Sequence, residues 1–82
     1  MKKTNLYPKI VKEFTEATKR YGTLEILEKK IKGRICLLFR LGSLEVSVLF
    51  GKRITEKKFM DIGYATIFKI LVEEATIKGF KT

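Results

Sequence analysis

At 82 residues, with 45% hydrophobic and 33% charged side chains, the chain has the size and composition of one small folded domain and not of a disordered tail. Its net charge of +9 is large for that length and makes a polyanion the first partner to consider, although an anionic membrane surface also suits it. One cysteine, Cys36, excludes an internal disulfide, and the lack of histidine excludes an ordinary structural zinc site and removes the usual general base, so no metal, no cofactor and no conventional enzyme activity are expected.

The opening Met1-Lys2-Lys3-Thr4-Asn5-Leu6-Tyr7-Pro8 has basic residues without an apolar core, and no run approaches a spanning helix. Neither a signal peptide nor a membrane anchor is therefore expected, no membrane is counted among the expected partners, and a reducing cytoplasm is the expected compartment. Abundant Ile, Lys and Glu, one Asn and no Gln lean toward a hot-growing host, a bias that an AT-rich genome also produces. No linker or repeat divides the chain, which reads as one domain over 1–82 with its folded part at about 5–79.

From Asn5 to Tyr21 the residues Tyr7, Ile10, Val11, Phe14, Ala17 and Tyr21 recur at helical spacing, predicting an amphipathic helix with Thr4 or Asn5 as its cap and Gly22 as its stop. Pro8 fits only the first turn. Thr23 to Lys29 reads as a strand with Leu24 and Ile26 on one face. Lys29, Lys30, Lys32 and Arg34 around Gly33 then form a basic hairpin tip with the reach and charge to meet a phosphate backbone.

Leu41-Gly42-Ser43-Leu44 reads as a two-residue turn with Gly first, and that choice fixes the register. Leu41 pairs with Leu44, Arg40 with Glu45, Phe39 with Val46, Leu37 with Val48 and Ile35 with Phe50. Leu38 and Leu49 fall on the outer face, which is more apolar than an exposed sheet face requires. Cys36, also on that face, reads as a packing residue.

A second helix is expected from Thr55, its N-cap, to about Lys78, with Gly79 as its stop. Met60, Tyr64, Ile67, Phe68, Leu71 and Ala75 form the stripe expected on the sheet. Phe59, Ile62, Ile70 and Val72 are left over on other sides, and Phe59 and Ile62 with Leu38 and Leu49 make a candidate dimer surface. Lys57 and Lys58 stand in the first turn, where the helix dipole disfavours cations by about 0.3–1 kcal/mol each. Free N–H groups and two ammonium groups in one place would suit a phosphate.

The order helix, three strands, helix, closed by Thr55, Lys57, Lys58 and Ala65, resembles a double-stranded-RNA-binding domain over roughly residues 6 to 75. Pro8 followed by Val11-Lys12-Glu13, and Leu24 four residues before Glu28, are similar to that family's opening helix and first strand. Lys30, Lys32 and Arg34 replace its Gly-Pro-x-His element, Asp61 takes the place of a third lysine, and Tyr64 stands where a small residue is usual. The resemblance implies an α+β fold of α-β-β-β-α order, with a three-stranded antiparallel sheet covered on one face by two helices. It also implies sequence-nonspecific binding of duplex RNA by A-form shape and phosphate contacts. Lys12 and Glu13 would face one minor groove, and Lys30, Lys32 and Arg34 a second. Lys52, Arg53, Lys57 and Lys58 would hold the phosphates between. A homodimeric protein-interaction module on the same scaffold and general DNA binding are the alternative readings.

Overall fold

The sheet is built on the hairpin that the Gly42-Ser43 turn closes. The computed structural model of the chain describes the backbone of residues 2–80 and the side chains of residues 2–73. Its elements are β1 (Lys2–Lys3), α1 (Pro8–Thr18) followed by a 3-10 turn (Lys19–Tyr21), β2 (Leu24–Ile31), β3 (Arg34–Leu41), β4 (Leu44–Leu49) and α2 (Glu56–Phe80). The strands form one antiparallel sheet in the order β1-β2-β3-β4, with both helices packed on one of its faces. This is the expected α-β-β-β-α sandwich with one strand more: Lys2 and Lys3 pair with Glu28 and Leu27 at the sheet edge. Short strands carrying exposed lysines are a common way to blunt an edge against further pairing.

The β3–β4 register is the one expected from the turn, from Leu41↔Leu44 through Phe39↔Val46 to Leu37↔Val48. Gly42 takes a φ of 63°, which its missing Cβ permits at the first position of such a turn. At the far end the Phe50 N–H donates to the Ile35 carbonyl (2.7 Å) and the Ile35 N–H to the Gly51 carbonyl (3.1 Å). Two residues thus stand opposite one, a bulge that turns the chain off the sheet. Phe50 and Ile35 nevertheless both enter the core. The β2–β3 turn is equally tight, because Ile31 pairs with Arg34 and only Lys32 (φ 50°) and Gly33 (φ 79°) lie between.

The ends of α1 differ from expectation. Thr4 is not the cap: its hydroxyl donates to Glu28 Oε1 (2.8 Å) and accepts from the Leu6 N–H, and Asn5 also precedes the helix. The helix starts three residues later with Pro8 in its first turn, where the missing N–H costs nothing. Tyr7, in left-handed backbone (φ 41°), is its N-cap residue, and its side chain makes no capping bond to the helix. At the other end the last turn tightens, and Gly22 breaks it at φ 136°, ψ −169°, a region open essentially to glycine alone. Ala17 and Tyr21 face solvent and Thr18 is buried instead, its hydroxyl donating to the Phe14 carbonyl (2.9 Å).

The larger correction concerns α2. Its buried side is Phe59, Gly63, Thr66, Ile67 and Ile70, with Met60, Ile62 and Leu71 half-buried, whereas Tyr64, Phe68 and Val72 are exposed. Ala75, placed on the expected stripe, lies outside the described side chains. The rotation follows from Gly63. A Cβ there would overlap Cζ of Phe14 and stand 2.5 Å from its Cε2, so the ring of α1 occupies the space a larger residue would need. Phe14 also stacks on Phe59 (5.7 Å between centroids) and meets the edge of Tyr64 (4.8 Å). The small residue at this helix contact is therefore Gly63, one position before Tyr64. Gly79 does not end the helix, which continues to Phe80.

Candidate functional site

Three chain segments meet at one end of the sheet: the β2–β3 tip, the start of α1, and the connection after β4 that runs into the start of α2. Backbone bonds between Ile35 and residues 50 and 51 place the β4 end beside the start of β3. Arg34 reinforces this by donating Nε–H to the Phe50 carbonyl (3.1 Å). On the helix side, the Tyr7 hydroxyl donates to the Ile54 carbonyl (2.6 Å), and its ring lies 5.5 Å from that of Phe59. Tyr7 ties the start of α1 to the residues leading into α2. A shallow recess lined by Tyr7, Pro8, Lys9, Ile10 and Glu56 lies between the two helix starts.

Segments 29–34 and 52–58 carry eight of the 18 lysines and arginines and only one of the nine acids, Glu56. All eight cations are exposed. Among the described residues the only ion pairs are on Arg40, which reaches Glu45 (3.1 Å) and Glu25 (3.8 Å) at the opposite end of the outer sheet face. Lys57 and Lys58 thus have no carboxylate within ion-pairing distance among those residues, and Asp61 does not neutralise them. Positive charge is concentrated where no carboxylate pairs with it.

Thr55 caps α2 as expected, its hydroxyl accepting the Lys58 N–H (3.2 Å) while the Phe59 N–H donates to the Thr55 carbonyl (2.9 Å). The N–H groups of Glu56 and Lys57 have no protein acceptor among the described residues. With the positive end of a long helix behind them, two free donors and two flanking ammonium groups form an arrangement suited to an anion. Glu56 in the same turn favours the dipole and opposes the anion.

Seven candidate residues, Lys30, Lys32, Arg34, Lys52, Arg53, Lys57 and Lys58, therefore share this end of the molecule. Lys12 and Glu13 lie apart from them, on the solvent side of α1. Lys9 was not singled out from sequence, yet it lines the recess with Glu56. Its only signal was its place after Pro8, in the opening turn of a helix with mixed charge. The four residues of the candidate dimer surface do not form one exposed patch. Phe59 is 1% exposed at the centre of the aromatic stack, and Ile62 is half-buried against the core. Leu38, on the central strand between Leu27 and Ser47, is 8% exposed, and only Leu49 stands open on the uncovered sheet face at 48%. Half-buried Cys36 lies beside Leu49 on that face.

No helix among the described residues is long and apolar enough to cross a membrane. No protein-family model, no curated protein and no solved structure matches the chain.

Proposed function

We propose that this protein is a double-stranded-RNA-binding-domain-like module that binds duplex RNA without reading sequence. One observation carries the proposal: exposed cations of the β2–β3 tip and of the α2 start converge on one end of the sheet, and among the described residues none of those at the helix start is neutralised by a carboxylate. In this reading Lys57 and Lys58, with the free N–H groups of Glu56 and Lys57, hold phosphates across a major groove. Lys52 and Arg53 extend that contact. Lys30, Lys32 and Arg34 approach one flanking minor groove, and Lys12 and Glu13 meet the 2′-hydroxyls of another. A-form geometry supplies the spacing, and the contacts position the protein without reading bases.

The test is titration of an RNA duplex, a DNA duplex of the same sequence and a single strand at two salt concentrations, with Lys57→Ala/Lys58→Ala as the site variant. Removing both ammonium groups is expected to weaken duplex RNA binding at least about tenfold, or about 1.4 kcal/mol, with an unchanged melting temperature. The dependence on salt should also become shallower, since fewer counterions are released. Equal affinity for both duplexes would mean that charge alone drives binding, as in general DNA binding. Undiminished binding by the variant would remove the helix start from the interface.

A further inference from the structure

The exposed side of α2 carries two adjacent rows of residues at four-residue spacing. One is Tyr64, Phe68 and Val72, exposed by 44%, 70% and 45%. Beside it runs Asp61, Ala65 and Lys69, all exposed and without ion pairs among the described residues. Rows of this kind pack into one another's grooves at a helix crossing near −50°. A side chain as exposed as Phe68 gains most from being covered, and the nearby core does not cover it.

We propose that this face binds a second copy of the chain, with the two α2 helices antiparallel and crossing at Ala65. Charge complementarity identifies the occupant. The rise of about 1.5 Å per residue places Asp61 and Lys69 each about 6 Å from Ala65, on opposite sides. Reversing one copy brings each Asp61 carboxylate level with the partner's Lys69 ammonium group, twice by symmetry. A parallel copy would set acid against acid and lysine against lysine. Ala65, small at the crossing, lets the helices approach, and Phe68 enters the space between the partner's Tyr64 and Ala65. A polyanion gains little here, because the row carries as many acids as lysines. Two molecules of net charge +9 meet here on a stretch that carries no net positive charge.

Sedimentation of the full chain over a concentration series tests this. Dimers are expected. Phe68→Glu, Asp61→Lys and Lys69→Asp should each raise the dimer dissociation constant at least about tenfold, the first by placing a charge in an apolar contact and the others by setting like charges opposite. The double variant Asp61→Lys/Lys69→Asp restores both pairs with signs exchanged and should recover most of the affinity. Far-UV circular dichroism establishes that each variant is folded, and Phe68→Ala serves if Phe68→Glu is not. A monomer at the highest soluble concentration overturns the proposal. So does a dimer indifferent to Phe68, or one lost instead on Leu49→Glu, which would place the contact on the uncovered sheet face. Failure of the exchanged pair to recover binding overturns the antiparallel arrangement.

Discussion

Replacing Gly63 by Ala sets two effects of known sign against each other. In a helix interior the change should stabilise by about 1 kcal/mol, because alanine loses less backbone freedom than glycine. Here the new methyl group would overlap the ring of Phe14, which is fully buried and held by Phe59 on one side and Tyr64 on another. Ordinary carbon contact needs about 3.5–4.0 Å, and Cε2 would stand at 2.5 Å, so helix or ring must move by about 1 Å. Overpacking of this kind costs about 1–3 kcal/mol. The net expectation is a loss of about 1 kcal/mol, which for a domain of this length lowers Tm by about 4–8 °C. Thermal unfolding followed by circular dichroism measures it. A companion Phe14→Leu substitution sharpens the result: Gly63→Ala should cost less in that background, giving a favourable coupling in a double-mutant cycle. A rise in Tm for Gly63→Ala alone would show that the helices do not approach at Gly63, and the explanation for the rotated face of α2 would fall with it.

Two further substitutions test how the basic end is held. Thr55→Ala removes the bond to the Lys58 N–H and should cost about 1 kcal/mol by denaturant unfolding; no change would mean the cap contributes nothing. Tyr7→Phe deletes the hydroxyl bound to the Ile54 carbonyl and should cost about 1 kcal/mol, with faster amide exchange in the first turn of α1. If both stability and exchange are unaltered, the bond does not tether the helix starts.

The β3–β4 register was legible because a two-residue turn leaves one way to pair the flanking residues, and alternation from Ile35 to Leu41 permits one inward face. Thr55 was legible for a similar reason, a local rule applied to a local pattern. The face of α2 was not. Apolar spacing put Tyr64 and Phe68 inside, but contact between helices is decided by which residue is small enough to admit a neighbour, and Phe14 is 49 positions from Gly63 in sequence. Thr18 was missed because its hydroxyl marks it as polar until the carbonyl of Phe14 satisfies it. β1 was missed because two lysines carry no alternation. The cations of the candidate site were visible as residues, whereas their convergence depended on the bulge at Phe50 and Gly51 and on the reach of Tyr7.

The turn at Lys32 and Gly33 has a mechanical consequence. Both residues are spent on reversing the chain, and ladder pairs resume at once on either side. The basic prong is consequently stiff, with no slack segment to mould itself against a surface. Its backbone geometry is set before any encounter, so ordering on docking falls on the exposed lysine and arginine side chains and not on the turn, and a groove that mismatches the backbone cannot be met by refolding it. Selectivity at this end of the molecule would come from rejection of misfits, not from adjustment to them.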